Sequence, residues 1–386
     1  MTGNLEAPLS GKEISQALDP DWRASVSDAL AQELGRRSAP RVALVGFQAA
    51  TYFEEVAARA SSVVIVEPRQ SVVENLRRAV VSQELGKKVS IVVGDPETVK
   101  LEEAVDVAVY LPRSVWMMEG PDAAVLAHLR STLKTGGALI PGRIVQLLEL
   151  ANATTHLSGI SLRQPRYSLA GEPVATLSES KHFLTTRFDG GQGSGPAVDD
   201  TIIVRPVVSG VVSALRLTSV VELVPGAIQI SSESGLRSIL VPLREDIDVE
   251  AGKPVSIRVR YEPGKGLHSA RFSARQLTEE DEPPDLPEEH AVIRGFQDRL
   301  TELMAQVDSI GRGSDLDRVV AYTRRPHGDV TRLTALFWAV DEEFRRPLRE
   351  IVEAFRRKAS EELGQTPTDE AVYELMIQVY EKGRSS

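Results

Sequence analysis

The chain has 386 residues, of which 42% are hydrophobic and 26% are charged, and this composition is typical of a globular protein with two or three domains. It contains no cysteine, which excludes disulfides, a thiolate nucleophile and any zinc or iron–sulfur site that needs cysteine ligands. The formal net charge of −10 disfavours a general nucleic-acid binder, because such a protein needs a basic surface.

The ends and the apolar runs of the sequence give no sign of export or of membrane insertion. The first residues, MTGNLEAPLSGKEISQ, lack the basic and apolar regions of a secretory signal. No apolar run approaches the roughly 18 residues that a membrane helix needs. We therefore expect a cytoplasmic protein without a membrane partner. The six histidines are scattered without ligand spacing, so no metal site is expected either.

The first third of the chain alternates between helical and strand patterns. Apolar residues at helical spacing predict one helix over residues 13–36. Four strands are predicted next, with helices over 53–60, 71–86 and 121–137 between or after them; the strands cover 41–45, 63–67, 89–95 and 105–111. ALIPG, from residue 138, begins a fifth strand. Strands separated by helices of this length predict βαβ units and a parallel sheet covered on both faces.

The pattern changes after residue 145. Short runs of β-branched residues alternate with turns, and no helical pattern separates them, which predicts an antiparallel β-barrel over 146–276. An acidic, proline-rich linker follows at 277–290, and charged helical patterns fill 291–386. The predicted order is thus a helical segment (1–36), a Rossmann-like domain (37–145), a β-barrel, a linker and a C-terminal helical domain.

The stretch VGFQAATYF, residues 45–53, stands where an open parallel sheet places its ligand loop, at the carboxyl end of the first strand. Gly46 is its only glycine. Glu67, at the end of the next strand, follows Gly46 by 21 residues, a spacing typical of an acid that holds a ribose. The pattern therefore favours a nucleotide-type site. The alternative is that Glu67 only makes the end of a strand polar.

Three later stretches bear a likeness to one known family. They are LKTGGALIPG (133–142), SGVVSALRLTSVVELVPGAIQISS (209–232) and LREDIDVEAGKPVSIRVRYEPG (243–264). On these stretches, the chain resembles the protein arginine methyltransferase family over about residues 18–276. The resemblance implies a Rossmann-like domain that binds S-adenosylmethionine, followed by a β-barrel. It also implies a homodimer, since the family commonly forms dimers through an arm in the barrel region.

The resemblance assigns three cofactor residues. Gly46 matches the first glycine of the family's loop, Glu67 matches the acid that holds the ribose, and Glu97 matches the acid that contacts the adenine amino group. The rest of the loop departs from the family, because FQAA (47–50) replaces small residues and glycines that let a backbone approach the cofactor. Gln48 either occupies the volume of the cofactor's amino-acid end or donates or accepts a hydrogen bond there.

The substrate positions depart as well. The family holds a guanidinium with two glutamates after the fourth strand, and paired carboxylates suit that planar cation. Leu111 replaces the first glutamate, and Glu119 matches the second with one residue deleted between them. Arg113 adds a positive charge that repels a guanidinium and suits an anionic substrate such as a carboxylate. The family's Thr-His-Trp motif is replaced by SGL at 234–236, so arginine methylation is not expected.

Several further residues remain open to two interpretations. Residues 116–118, Trp-Met-Met, line either a substrate pocket or the buried cap of the cofactor site. His128 favours a packing or surface role, and His182 is a weaker candidate for the site. TRRPHGD (323–329) suits either an anion or a partner, and the basic face of residues 344–358 suits a protein partner or a second subunit.

The leading hypothesis is an S-adenosylmethionine-dependent methyltransferase that modifies a nitrogen or oxygen of an unidentified small-molecule or peptide substrate. Gly46, Gln48, Glu67 and Glu97 would bind the cofactor. Arg113 and Glu119 would act at the substrate, Glu119 as base or anchor. The alternative is an inactive methyltransferase-fold protein that binds or assembles other proteins through its barrel and its helical tail. NAD in the same crevice is a third hypothesis, which the missing glycines disfavour.

Overall fold

The computed structural model describes residues 8–168, 174–188, 197–225, 227–231, 236–278 and, near the C-terminus, 331–333, 336, 349, 352–353, 355–361 and 366–384. Ser234 and Gly235, the loop 323–329 and nearly all of the predicted linker lie outside these residues. No helix in the described part of the chain is long and apolar enough to cross a membrane.

The single helix predicted over 13–36 is wrong in one respect: two helices form, α1 (Gly11–Leu18) and α2 (Pro20–Gly35). Pro20 has no N–H for a continuing helix, but it suits the first turn of a new one. Asp19 caps α2 by accepting a hydrogen bond from the Trp22 N–H at 2.9 Å. Ser10 and Glu13 form a capping box at the start of α1.

The predicted parallel sheet is confirmed, and it has five strands in the order β3-β2-β1-β4-β5. The strands are β1 (Arg41–Val45), β2 (Ser62–Glu67), β3 (Val89–Val93), β4 (Val105–Tyr110) and β5 (Leu133–Ile140). The helices between them are α3 (Gly46–Ala50), α4 (Phe53–Arg59), α5 (Gln70–Ser82) and α6 (Asp122–Ser131). β1 and β2 read as continuous apolar runs because both of their faces are buried.

Two local predictions differ from the structure. The helix expected over 121–137 ends at Ser131, and β5 begins at Leu133, so Gly136 and Gly137 lie inside a strand. Pairing with β4 decides this, and a side chain at Gly137 would come within 2.9 Å of the Lys134 carbonyl oxygen. At the other position, β1 passes directly into α3, so the predicted ligand loop is itself helical.

The region after β5 is antiparallel, as predicted. Its described strands are β6 (Arg143–Asn152), β7 (Thr155–Leu157), β8 (Ile160–Leu162), β9 (Arg166–Tyr167), β10 (Ala175–Thr176), β11 (Lys181–Arg187), β12 (Val198–Val204), β13 (Gly210–Val224), β14 (Ala227–Ile230), β15 (Ile239–Val249), β16 (Val255–Tyr261) and β17 (Arg271–Gln276). They form sheets of seven, three and two strands. A closed barrel stays a prediction. We call residues 143–276 the antiparallel β region.

One apolar core joins the two parts of the molecule. Buried residues of α2, of the parallel sheet and of the antiparallel β region belong to a single cluster. Near the C-terminus, a last helix α7 runs from Asp369 to Arg384. Part of its face is buried through Val372 and Tyr373.

Candidate functional site

The candidate site lies at the carboxyl ends of β1 and β2, beside the point where the strand order reverses between β1 and β4. Open α/β sheets bind ligands at this place because the crossovers leave a crevice there. Gly46 begins α3 at the end of β1 with a φ of +79°, a conformation that favours glycine. The backbone bend expected of a ligand loop is therefore kept, although the residues after it form a helix.

Gln48 is 5% exposed and belongs to a chain of amides inside the crevice. Its Nε2 donates to Gln16 Oε1 at 2.9 Å, and Gln16 Nε2 donates to the Pro112 carbonyl oxygen at 3.0 Å. Because a carbonyl only accepts, the orientation of both amides is fixed by Pro112. Gln48 Oε1 is left buried, and no group among the described residues donates to it.

Glu67 is 0% exposed, and its carboxylate is held by Arg69. Arg69 donates its Nε to Glu67 Oε1 at 2.5 Å and its backbone N–H to the same oxygen at 3.1 Å, and one terminal nitrogen reaches Oε2 at 3.2 Å. The other terminal nitrogen donates to Glu13 Oε1 at 2.9 Å. The guanidinium thus bridges the end of β2 to α1, and we call Glu67, Arg69 and Glu13 the arginine bridge.

Electrostatics stabilise the charged forms within this bridge. Burial raises the pKa of Glu13, but the Ser10 backbone N–H and the charge of Arg69 outweigh it, so the pKa lies below its ordinary value. Burial lowers the pKa of Arg69, but the hydrogen bonds to Glu67 and the negative charge of Glu67 raise the pKa of Arg69 overall. The charge of Arg69 thus favours the ionised form of Glu13. The Glu67 carboxylate, which the resemblance assigns to a ribose, is therefore paired with Arg69 of the same chain.

The loop after β4 is organised by Asp122, which is fully buried at the start of α6. Its carboxylate accepts hydrogen bonds from the Tyr110 hydroxyl at 2.7 Å, from the Arg113 N–H at 2.9 Å and from the Ser114 N–H at 3.1 Å. The Arg113 guanidinium lies 3.6 Å from Asp122 and 3.7 Å from Glu13. Burial lowers the pKa of Arg113, yet Tyr110 and Asp122 raise it overall. Arg113 is thus tied to two acids of the protein.

Trp116 anchors this loop in the antiparallel β region. Its ring is fully buried and stacks on Phe183 with centroids 5.0 Å apart. Its indole N–H reaches the carbonyl oxygens of Leu147 and Thr218 at 3.1 and 3.0 Å. Trp116 and Met117 have φ of +59° and +52°, which β-region packing holds in place. Residues 116–118 are all buried and packed inside the core, so they expose no surface to a substrate.

Glu119 is the predicted substrate residue that the structure leaves accessible, with 44% of its side chain exposed. Its carboxylate accepts a hydrogen bond from the Tyr167 hydroxyl at 2.8 Å, and Lys12 Nζ donates to the same hydroxyl at 2.6 Å. Burial lowers the pKa of Lys12 and, helped by Glu119, raises that of Tyr167. Sequence reasoning missed Lys12 and Tyr167, which are 155 residues apart.

The remaining candidates lie elsewhere. Glu97 is exposed just after β3, and its backbone N–H donates to Asp95 at 2.9 Å. His128 is half-buried and contacts the Val99 carbonyl oxygen at 2.7 Å, which is the packing role. His182 is buried in β11, beside the Thr185 hydroxyl at 3.0 Å. Within the described residues, no three histidine or acidic side chains gather closely enough to hold a metal ion.

Sequence reasoning found Gly46, Gln48 and Glu67, and the structure brings these three to one crevice. Sequence reasoning missed Glu13, Gln16 and Arg69, which lie in the same crevice. The only available signal for Arg69 was its place two residues after Glu67, and no local pattern marks the α1 residues. The crevice is lined by polar groups that satisfy one another, with Gln48 Oε1 as the exception.

Comparisons with known proteins agree with this architecture. No family model and no curated protein matches the sequence. Among solved structures, a chain of the Trypanosoma brucei PRMT1 enzyme–prozyme heterotetrameric complex with AdoHcy matches with a TM-score of 0.58 and 12% identity, over 69% of this chain and 98% of that one. At this identity the likeness concerns the fold. The protein therefore has a fold like that of protein arginine methyltransferases over 69% of its length.

Proposed function

We propose that this protein is a methyltransferase-fold protein that does not transfer methyl groups and that acts by binding another protein. One observation carries the proposal: the crevice at the ends of β1 and β2 is occupied by the arginine bridge and by the Gln48–Gln16 amide pair. The Glu67 carboxylate and the Gln48 amide nitrogen, which a cofactor would contact, have partners within the chain.

A nucleoside bound where the family binds its cofactor would have to displace the Arg69 guanidinium from the Glu67 carboxylate. Removing one partner of a buried ion pair costs about 3–5 kcal/mol, because the other charge stays buried without compensation. Two hydroxyl-to-carboxylate hydrogen bonds contribute about 1.5–3 kcal/mol each at most. The exchange therefore brings a nucleoside little net free energy at this position.

The substrate side supports the same conclusion. Leu111 is buried where the first glutamate of the family would stand. Arg113 is paired with Asp122 and Glu13, and Glu119 is engaged by Tyr167. A guanidinium would meet one carboxylate rather than two, so arginine is disfavoured as a methyl acceptor.

A protein partner is favoured by what the similar structure contains. That structure is a heterotetramer in which an enzyme is assembled with a prozyme. We extend the idea of such an assembly to this chain, with a homodimer or a protein bound to the C-terminal region as the partner. The net charge of −10 disfavours nucleic acid in that role, and the sequence favours a cytoplasmic location.

A second candidate is a methyltransferase that uses the crevice in a rearranged form, and two observations favour it. Gly46 keeps a φ of +79° at the end of β1, and Gln48 Oε1 is buried with no donor among the described residues. The α-ammonium of S-adenosylmethionine is a donor of the required kind. In this candidate the cofactor would displace Arg69 from Glu67, and Glu119 would face the substrate.

Calorimetric titration of the purified protein with S-adenosylmethionine and with S-adenosylhomocysteine separates the two candidates. We expect no binding heat at millimolar ligand. Micromolar affinity that is lost in Glu67→Gln would overturn the proposal and support the second candidate. Micromolar affinity that Glu67→Gln leaves unchanged would also overturn it, and it would place the ligand away from Glu67.

A radiolabel assay tests activity separately. The protein is incubated with cell extract and methyl-labelled S-adenosylmethionine, with Glu119→Gln as the matched variant. The proposal expects no label above the extract alone. Label that depends on the wild-type chain and falls in Glu119→Gln contradicts it.

A further inference from the structure

The described C-terminal residues lie against the antiparallel β region, and their contacts are mostly polar. Thr366 lies beside Gly252, where an added side chain would collide with its hydroxyl. Two further contacts join charged or titratable groups: Glu353 with Arg205 at 3.7 Å and Arg349 with His182 Nδ1 at 3.5 Å. We call the described residues within 349–384 the C-terminal segment.

At the centre of this contact, two carboxyl groups face each other. The backbone N–H of Asp369, at the start of α7, donates to Glu179 Oε2 at 2.5 Å. Arg356 donates to the Asp369 carboxylate and, at 3.2 Å, to the Pro367 carbonyl oxygen. Asp369 is 3% exposed and Arg356 is buried with it, whereas Glu179 is partly exposed.

One proton is needed to make this arrangement favourable. Burial, followed by the negative charge of Asp369, raises the pKa of Glu179 to about 8. Burial also opposes the charge of Asp369, but Lys181 and Arg356 outweigh it and keep the pKa of Asp369 below its ordinary value. At neutral pH the proton therefore sits on Glu179, which can donate to Asp369, and Asp369 stays paired with Arg356.

Other charged groups lie at the contact between the two regions, on both of its sides. Lys181, His182 and Arg205 belong to the antiparallel β region. Arg349, Glu353, Arg356 and Asp369 belong to the C-terminal segment. His182 is the second titratable group among them at pH 5–8 by its chemistry, so it needs its own control.

We propose that a single proton shared by Glu179 and Asp369 holds the C-terminal segment on the antiparallel β region, and that ionisation of Glu179 weakens this attachment. This inference does not rest on the proposed function. It makes the exposure of the C-terminal segment, and of the strands beneath it, a function of pH.

The sign follows from the two pKa directions. The pKa of Glu179 in the attached state lies above its ordinary value of 4.5, so its contribution is complete below that value. The contribution is lost as the pH rises towards about 8, and it changes no further above that pH. Asp369 acts in the opposite direction, but only at pH values below its ordinary 3.8.

Hydrogen exchange of the full chain measures the attachment without any label. The opening constant of the buried α7 amides, at Val372, Tyr373 and Met376, is compared with that of α2, which serves as the internal reference for the intrinsic pH effect on exchange. Linkage to one proton predicts that this ratio increases about tenfold per pH unit from pH 6 to 8 and levels off above it.

Two variants identify the group. Glu179→Gln keeps the shape and can donate to Asp369, and we expect its ratio to be independent of pH. His182→Gln is expected to keep the wild-type dependence. A wild-type ratio that does not change between pH 6 and 9 overturns the proposal, and so does a Glu179→Gln protein that responds to pH as the wild type does.

A distance measurement gives the second readout if Glu179→Gln fails to fold. The chain has no native cysteine, so single cysteines at the exposed Thr201 and Gln378 can carry spin labels. In the otherwise wild-type chain, we expect the population at the short distance to fall between pH 6 and 9. An unchanged distance distribution contradicts the proposal.

Discussion

The crevice and the loop after β4 lie side by side at the same edge of the parallel sheet, yet they are held in different ways. In the crevice, α1 is joined to the sheet by the arginine bridge and by amides. In the loop, Trp116 is buried among apolar rings of the antiparallel β region. Polar pairs can be exchanged for pairs with a ligand or water, whereas a buried ring has no substitute partner outside the core.

The comparison also shows which contacts join the parallel sheet to the antiparallel β region without involving the candidate crevice. Contacts that join the parallel sheet to the antiparallel β region include those of Trp116 with Ser219, Leu147 and Thr218, and these do not involve the candidate crevice. Changes at Gln48 and Arg69 leave those contacts in place. The contacts of Trp116 are therefore independent of the residues that a cofactor would need.

The largest effect is expected from Trp116→Ala. Removing a fully buried ring that stacks on Phe183 destabilises the protein by about 3–5 kcal/mol, because it leaves a cavity. Denaturant unfolding measures this loss. Trp116→Phe keeps the stacking, so it should lose less than half as much, and equal losses in both variants would show that the stacking is not what stabilises the loop.

The next effect concerns the arginine bridge. Arg69→Ala leaves Glu67 without its cation and leaves Glu13 with only Arg113, at 3.7 Å, and we expect a loss of about 3 kcal/mol in unfolding free energy. In Glu67→Gln/Arg69→Ala the uncompensated charge at β2 is gone, so about half of that loss should be recovered. Unfolding measurements on the four proteins of this double-mutant cycle give the coupling. Additive effects would mean that the bridge contributes nothing.

A smaller effect is expected at the amide chain. Gln16→Leu leaves the Pro112 carbonyl oxygen without its donor and Gln48 Nε2 without its acceptor, which costs about 1–3 kcal/mol. Gln16→Glu is the matched polar variant: it keeps an acceptor for Gln48 but has no donor for Pro112. If Gln16→Leu is as stable as the wild type in thermal unfolding, the amide chain is not formed.

The smallest effect is expected at Glu119. Its carboxylate lies 3.8 Å from Lys12 and both side chains are partly exposed, so Glu119→Ala should change stability by less than about 1 kcal/mol. Since solvent screens this pair, 0.5 M salt should reduce the difference between the two proteins further. A loss comparable to that of Trp116→Ala would place Glu119 among the residues that hold the loop.

The parallel sheet could be predicted from the sequence because a local run of apolar residues marks each of its first four strands. Residues 41–45 form the strand that their apolar run predicts, and Glu67 ends the next one. The start of β5 could not be predicted, because Lys134 to Gly137 join a strand only through pairing with β4. Pro20 marks the break between α1 and α2 in the sequence. The single-helix prediction followed the helical spacing of the apolar residues across that proline.

The position of the candidate site could be predicted from the sequence, but the contacts made by its residues could not. Gly46 and Glu67 are fixed by the sheet, so their place follows from the strand pattern. The second partner of Arg69 is decided by the route of α1, which brings Glu13 within 2.9 Å of Arg69 from 56 residues away. Such contacts depend on the three-dimensional path of the chain, and no spacing rule in one sequence reports them.

The break at Asp19–Pro20 makes α1 a separate unit of local unfolding. The helix has eight residues, and isolated helices shorter than about 12 residues are marginal in water. Leu18 is 71% exposed, so apolar burial along α1 is modest, and the crevice contacts are polar. When those contacts break, little else stabilises α1 as a helix. The crevice is then uncovered by melting one short helix, while α2 remains packed through Trp22.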